Sequence, residues 1–477
     1  MCFKRCHERQ VRCLLLKKKC TIKIHFIIFV RIFVKYLQII SKKVMLISFS
    51  VQNFRSVKDK VTLSFEADRS LDLEDSYIIK PRGTKLRLLK LGMIYGANAS
   101  GKTTILEALD FLRKLVLDPL EKKSETIDVP AFLFDDQTQN APTVFSIEFF
   151  KAGVKYHYAV ELEAQAILAE SLYFYQPNKA KVFSRTTDIE KQWSQIQFGK
   201  KIGIGKKDVG FLTANTLWNM TTLSGYEKTN FESAQLQNVV GWFRDNLKGI
   251  IRPKTNLTGF ITNLLENETI EKDDIVALLR KADFQISDIF IDTHTVDVDE
   301  KLAAQLKVFH IPDEEIKKIK DNGELKFREL LFSHNINGKD YKLTYDDESA
   351  GTQRYFAYSG LLSLLMKGNV IFPIDELESS LHPDLFKHFI LSFLANAKNA
   401  QLIATTHYRE FLMDRDLYRD DAIWFTEKKE DGGTDLFSLS DFDTSVIRDT
   451  SSVFNAYKIG KLGAVPALRD FYMVAED

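Results

Sequence analysis

Gly96-Ala97-Asn98-Ala99-Ser100-Gly101-Lys102-Thr103, followed by Thr104, fits the pattern G-x-x-x-x-G-K-[ST] at every required position. The preceding run Leu88 to Tyr95 (LLKLGMIY) is apolar enough for a buried strand. Downstream, Ile105, Leu109, Leu112 and Val116 recur at helical spacing, so the glycines are expected to sit between a strand and a helix. In that setting backbone N–H groups wrap phosphates, and the helix N-terminus favours negative charge. Lys102 is expected to reach the β- and γ-phosphates of ATP and the Thr103 hydroxyl to ligate Mg²⁺. The bland alternative, a glycine-rich turn with no ligand, does not need both the strand and the helix.

The 477 residues, 45 % of them hydrophobic and 27 % charged, can bury a sizeable core in more than one domain-sized unit. The formal net charge of +1 hides an asymmetry. Residues 1–44 hold twelve Lys/Arg against a single acid, Glu8, which leaves the rest of the chain at −10. All four cysteines (Cys2, Cys6, Cys13 and Cys20) lie in the same leader, which excludes a disulfide scaffold or cysteine metal site from residue 45 onward. Thr21 to Ile40 is rich in Ile, Phe and Val, but Lys23, His25, Arg31 and Lys35 argue against a membrane span. Each such charge costs about 2.5 to 3.5 kcal/mol at mid-bilayer on insertion scales. Residues 1–44 are expected to lie outside the native fold, and the chain is expected to be cytoplasmic with no membrane partner.

From Met45 onward, Leu46 to Asn53 and Val61 to Phe65 alternate in the strand manner around a polar turn, a hairpin expected to cap the nucleotide site. Val144 to Phe150 and Val154 to Leu162 alternate around Ala152-Gly153, and strand-like runs follow at Leu172 to Tyr175 and Lys181 to Ser184. These predict an antiparallel β-lobe within residues 45–204, beside a parallel sheet. Residues 205–325 read as an inserted helical lobe without the heptads of a long coiled coil. Its Trp218, Trp242 and Phe243 read as core aromatics, since no basic cluster surrounds them. Asn337-Gly338 marks a hairpin turn where the strand pattern returns, within a segment 326–430, and residues 431–477 form a tail.

A second cluster of chemistry begins at Glu348-Ser-Ala-Gly-Thr-Gln-Arg354, which opens a helix with Tyr355, Tyr358, Leu362 and Leu365 on its apolar face. Ser349 and Gly351 can offer a hydroxyl and N–H groups to an anion, although Ser-x-Gly at a helix start is usually only a cap. Asn369 to Glu376 (NVIFPIDE) is an apolar run ending in two acids. With a phosphate loop in the chain, Asp375 is expected to hold Mg²⁺ and Glu376 to polarise the attacking water. Pro373 cannot donate to a central ladder, so a bulge or distorted pairing is expected two residues before Asp375. Glu378-Ser-Ser-Leu-His-Pro383 starts another helix. Ala400 to Thr406 forms a last strand ending in His407, placed beside the Asp375 strand and near the γ-phosphate.

This order resembles the ABC-type ATPases that include the chromosome-maintenance and double-strand-break-repair heads. GANASGKT, ESAGTQR, DELESSLHP, TTHYREF and YKIGKLGAVPAL (Tyr457 to Leu468) are similar to the RloA-like, abortive-infection ATPases of bacterial anti-phage operons. The resemblance implies an α/β fold, a P-loop ATPase head of mixed sheet and antiparallel lobe with a helical insertion. It also implies a homodimer in which two copies pack head to tail, each phosphate loop covered by the other's Ser349 and Gly351. ATP and Mg²⁺ are the implied cofactors, with Glu376 and His407 catalytic. Higher oligomers, and DNA or RNA as partners, stay open. Ala350 and Thr352 depart from the usual transporter signature, and His382 stands where many relatives have Asp, which implies slow turnover. For the glutamine of the usual Q-loop, Gln176, followed by Pro177, is a candidate.

The resemblance further implies a defence sensor whose effector, a nuclease-like protein, is a separate chain. Relatives with a metal-dependent Toprim nuclease carry it after the ATPase. Only seventy residues follow His407 and Asp441-Phe-Asp443 reads as a polar turn, so a separate effector is expected. A repair-type ATPase clamping DNA is the alternative, to which a charge of −10 lends no support. A transporter motor is a third, disfavoured because Ser349 lies 246 positions after Thr103.

Overall fold

The computed structural model describes residues 43–297, 321, 324–442 and 452–465. The expectation for the leader therefore lies almost wholly outside the described residues, although the first strand starts at Val44, one position before the expected boundary.

Two sheets carry the fold. Strands β1 (Val44–Gln52) and β2 (Val61–Ser64) form the expected hairpin, with Val51 opposite Val61. A short pair, β3 (Ile78–Ile79) and β4 (Leu88–Leu89), leads into β5 (Leu91–Gly96), so the apolar run read as one strand is broken at Lys90. Helix α1 (Lys102–Leu117) follows the phosphate loop. β6 (Thr143–Lys151), β7 (Val154–Leu162), β8 (Ile167–Tyr175), β9 (Lys179–Asp188) and β10 (Trp193–Phe198) then extend the hairpin into a seven-stranded antiparallel sheet, order β10-β9-β8-β7-β6-β1-β2. In β7 buried and half-buried residues alternate at every position, the mark of a sheet with one covered face. Its turn to β6 uses Ala152 and Gly153, both at positive φ, as a two-residue hairpin requires.

Helices at 206–215, 222–227 and 234–241 follow, and Trp242 stacks on Phe149 with ring centroids 4.3 Å apart. Trp242 and Phe243 are fully buried and Trp218 is nearly so, as their reading as core aromatics requires. Helices α2 (Thr258–Glu266) and α3 (Lys272–Lys281) pack on α4 (Ala350–Lys367), the helix that Ser349 opens. The helical reading of residues 205–325 is corrected at its end. β11 (Ile286–Asp297) pairs antiparallel with β12 (Glu324–Ile336), which turns through Asn337-Gly338 into β13 (Lys339–Thr344).

The second main sheet has the order β14-β15-β5-β16-β17, from β14 (Ile371–Ile374), β15 (Gln401–Thr405), β16 (Ile423–Lys428) and β17 (Thr434–Ser438). β14, β15, β5 and β16 are parallel, and every residue of β14, β15 and β5 is buried, as expected for strands covered on both faces. Helix α5 (Pro383–Asn396), with proline at its first position, connects β14 to β15. The fold is α/β, a mixed sheet adjoining an antiparallel lobe.

Toward β15 the register is unbroken, Pro373 opposite Ile403, and the distorted pairing falls on the other side of β14, where Leu247 and Ile251, four positions apart, bridge Ile371 and Ile374, three apart. The Pro373 carbonyl points to that side, accepting the Ile251 N–H at 2.9 Å. The missing N–H therefore faces the flank rather than the ladder.

Gln401, fully buried, joins the two sheets. Its side-chain oxygen accepts the Leu46 N–H at 2.6 Å, and its amide donates to the carbonyls of Leu46 and Leu89 at 3.0 and 2.9 Å. These bonds satisfy backbone groups that would otherwise be buried without partners. Among the described residues no helix is long and apolar enough to cross a membrane.

Candidate nucleotide site

The phosphate loop leaves β5 at Gly96 and enters α1 at Lys102. Gly101 sits at φ 104° and a Cβ there would overlap the Thr434 side chain, so conformation and space both demand glycine. A Cβ on Gly96 would run into Thr426 and Ser100. Ala99, at φ 60°, is strained for an L-residue, and like Asn98 it is exposed at the tip. Hydroxyls brace the loop from behind. Ser100 Oγ lies 2.6 Å from Thr426 Oγ1, and Thr434 Oγ1 donates to the Ser100 carbonyl at 3.0 Å. Thr434 Oγ1 is also 2.8 Å from Ser56 Oγ, itself 3.0 Å from Thr104 Oγ1. The turn of the β1–β2 hairpin is thereby fastened to the first turn of α1.

Lys102 folds back over the loop, and its Nζ donates to the carbonyls of Gly96 and Ala97, both at 3.0 Å. Burial holds its pKa below the usual lysine value, against the opposing pull of Asp375, Glu376 and Glu378.

At the carboxyl end of β14, Thr103 Oγ1 lies 3.0 and 3.1 Å from the two Asp375 carboxylate oxygens. Thr405, at the end of β15 and fully buried, donates its hydroxyl to Asp375 Oδ1 at 2.6 Å and accepts the Glu376 N–H at 2.8 Å. Glu376 itself takes φ 47°, the left-handed region that a non-glycine residue adopts at an energetic cost. The His407 N–H donates to Glu378 Oε1 at 2.7 Å, while Glu378 Oε2 has no hydrogen-bond partner among the described residues. The His407 ring is held below the usual histidine pKa, first by burial and then by the Lys102 charge.

Gly96 to Thr104, Asp375, Glu376 and His407 thus meet at one end of the parallel sheet. Ser349 and Gly351 have other neighbours. Ser349 Oγ caps α4, accepting the Thr352 N–H at 3.1 Å, and a Cβ on Gly351 would lie 3.8 Å from the Ser380 carbonyl. Their described contacts are with the α4 terminus and the loop before α5, not with the phosphate loop. Gln176 lies in the β8–β9 turn, whereas the segment flanking Asp375 is residues 247–251. Thr405 and Glu378 lie inside runs singled out in the sequence for their neighbours, while Thr426 and Thr434 carry no pattern of their own there.

The site suits a nucleotide polyphosphate with Mg²⁺: a loop whose glycines pack tightly on the hydroxyls behind it, a lysine bonded, among the described residues, to loop carbonyls, and a Thr–Asp pair of oxygen donors. Solved structures with similar chains include three described as follows. The SMC head domain from Thermotoga maritima is 12 % identical with a TM-score of 0.37, covering 82 % of this chain and 98 % of that one. An SMC head bound to the C-terminal winged-helix domain of ScpA gives 12 %, 0.38, 82 % and 97 %. The recombination mediator RecF with ATPγS, titled as part of the RecFOR pathway, gives 16 %, 0.34, 83 % and 99 %. With TM-scores below 0.5, none of these likenesses bears on mechanism. No curated protein matches the chain. Residues 93–414, more than half of the sequence, match the family model described as "AAA domain, putative AbiEii toxin, Type IV TA system", and the chain belongs to that family.

Proposed function

We propose that this chain binds ATP with Mg²⁺ and hydrolyses it to ADP and phosphate. The observation that carries the reading is the meeting of Thr103 and Asp375, 272 positions apart in sequence and 3.0 Å apart at their oxygens. These two side chains would hold Mg²⁺, which when bound neutralises phosphate charge. Lys102 exchanges its two loop carbonyls for β- and γ-phosphate oxygens. Glu376 orients the water whose oxygen attacks the γ-phosphorus as the bond to the ADP oxygen breaks. His407, neutral at pH 7, offers a ring N–H toward the same phosphoryl group.

In this reading two copies close head to tail on ATP, Ser349 and Gly351 of each completing the other's site. The chain then serves as the regulatory ATPase of a bacterial anti-phage system acting with a separate nuclease-like effector. The words "putative AbiEii toxin, Type IV TA system" in the family description support the defence context. Lys102→Ala tests the base of the proposal: ATP binding measured by titration calorimetry is expected to be lost. Equal affinity in variant and parent would remove the phosphate-loop assignment.

A further inference from the structure

The strand carrying Asp375 has a neighbour on its outer edge. Leu247 to Ile251 runs parallel to β14, with bridges from Leu247 to Ile371 and from Ile251 to Ile374. Three backbone bonds fix it: Lys248 N–H to Ile371 (3.0 Å), Ile251 N–H to Pro373 (2.9 Å) and Asp375 N–H to Ile251 (2.8 Å). Arg252 is the next residue, so it leaves this segment at its carboxyl end, beside Asp375. In open α/β sheets ligands bind outside the carboxyl ends of the parallel strands. The Arg252 N–H donates to Thr255 Oγ1 at 2.9 Å, which sets the turn there.

The Arg252 side chain is half-exposed and reaches Glu107, Nη2 to Oε1 at 3.1 Å. Glu107 stands on α1 four positions after Thr103, on the same helical face and one turn away. Arg252 is therefore parked one helical turn from the hydroxyl that meets Asp375. Glu107 has a second cation, Arg55 from the β1–β2 turn, whose Nε lies 3.2 Å from Oε2. Each carboxylate oxygen thus has its own guanidinium. The large cost of stripping a buried carboxylate of its only partner does not arise when Arg252 leaves.

We propose that Arg252 is a nucleotide-sensing cation: on ATP binding its guanidinium leaves Glu107 for the γ-phosphate, and on ADP it stays with Glu107. This rests on the ATP-binding reading above. A terminal phosphate carries more negative charge than a carboxylate already shared with Arg55, and a planar guanidinium engages two phosphate oxygens together. Arg55, held on the hairpin side, keeps Glu107 neutralised in either state.

The test is titration calorimetry with Mg²⁺ and two ligands, ADP and the non-hydrolysable ATP analogue adenylyl-imidodiphosphate. In Arg252→Ala the affinity for the analogue is expected to fall about tenfold, the worth of one charge-assisted hydrogen bond, with ADP affinity unchanged. Arg252→Lys, which keeps the charge and loses the fork, is expected to recover part of the loss and gives the same comparison if the alanine variant does not fold. A parallel fall for both ligands, or none for either, overturns the role. Failure of the unaltered chain to bind either ligand removes the ATP-binding reading itself and is distinct from both outcomes.

Discussion

Thr405 Oγ1 donates to Asp375 Oδ1 at 2.6 Å and, through the same oxygen, accepts the N–H of Glu376 at 2.8 Å. One buried hydroxyl therefore sets both acids proposed for Mg²⁺ binding and hydrolysis. Thr405→Val preserves shape and removes both bonds, leaving the Glu376 N–H without its acceptor. A cost of about 1–3 kcal/mol in stability is expected, together with a fall in ATP turnover larger than that of Thr405→Ser, which keeps the hydroxyl. Denaturant midpoints and steady-state turnover of the two variants check this; equal turnover would show that Thr405 does not position the acids.

Gly101 is the position where backbone conformation and packing make the same demand. At φ 104° and against Thr434, an added methyl group is opposed by both. Gly101→Ala is expected to lose nucleotide binding and to lower stability. Combining it with Thr434→Gly removes the Oγ1, Cγ2 and Cβ atoms that the new Cβ would meet at 2.2, 2.6 and 2.9 Å and recovers only the steric part. A double-mutant cycle read by thermal unfolding separates the two contributions; full recovery in the double variant would show that the left-handed backbone carries no cost.

Burial lowers the pKa of His157, His388 and His407 below the usual histidine value. The sign follows from proton linkage. Below about pH 6.5 the unfolded chain takes up protons that the folded chain refuses until its lower pKa values are reached, so stability falls as pH drops through this window. Urea midpoints measured from pH 7.5 to 5 are expected to decline, and His157→Gln is expected to flatten the slope. His157 Nε2 sits 2.9 Å from Ser146 Oγ in the antiparallel sheet, away from the phosphate loop in sequence and strand order, so the variant should leave nucleotide affinity in place.

What was legible in the sequence is what is local. The Gly96–Thr103 turn announces its strand and helix within about thirty residues, and Ala152-Gly153 and Asn337-Gly338 announce their hairpins by two residues each. Strand order is not local. Pro373 reads as a defect in a central ladder until the pairing turns its missing N–H toward the Leu247–Ile251 segment and leaves the β15 register unbroken. Ile286–Asp297 carries polar residues at too many positions to read as a strand without β12 beside it. The hydroxyls of Thr426 and Thr434 lie some 330 residues from the loop they brace, and the pairing of β16 with β5 and of β17 with β16 brings them there.

Ser349 and Glu376 test the proposed head-to-tail closure from opposite sides. Glu376→Gln keeps the size of the side chain and the N–H bond to Thr405, but removes the charge needed to orient water. Asp375 keeps its contact with Thr103. This variant is expected to bind ATP, fail to turn it over and accumulate as a dimer. Ser349→Arg places a long cation at the N-terminus of α4, where the hydroxyl now caps Thr352, and fills the surface that the other copy's phosphate must approach. It is expected to bind ATP as a monomer, with about 1 kcal/mol of stability lost from the missing cap. Light scattering with saturating ATP and Mg²⁺ reads both variants together. A Glu376→Gln protein that stays monomeric, or a Ser349→Arg protein that dimerises normally, would leave a phosphate-loop ATPase whose site is complete within one chain.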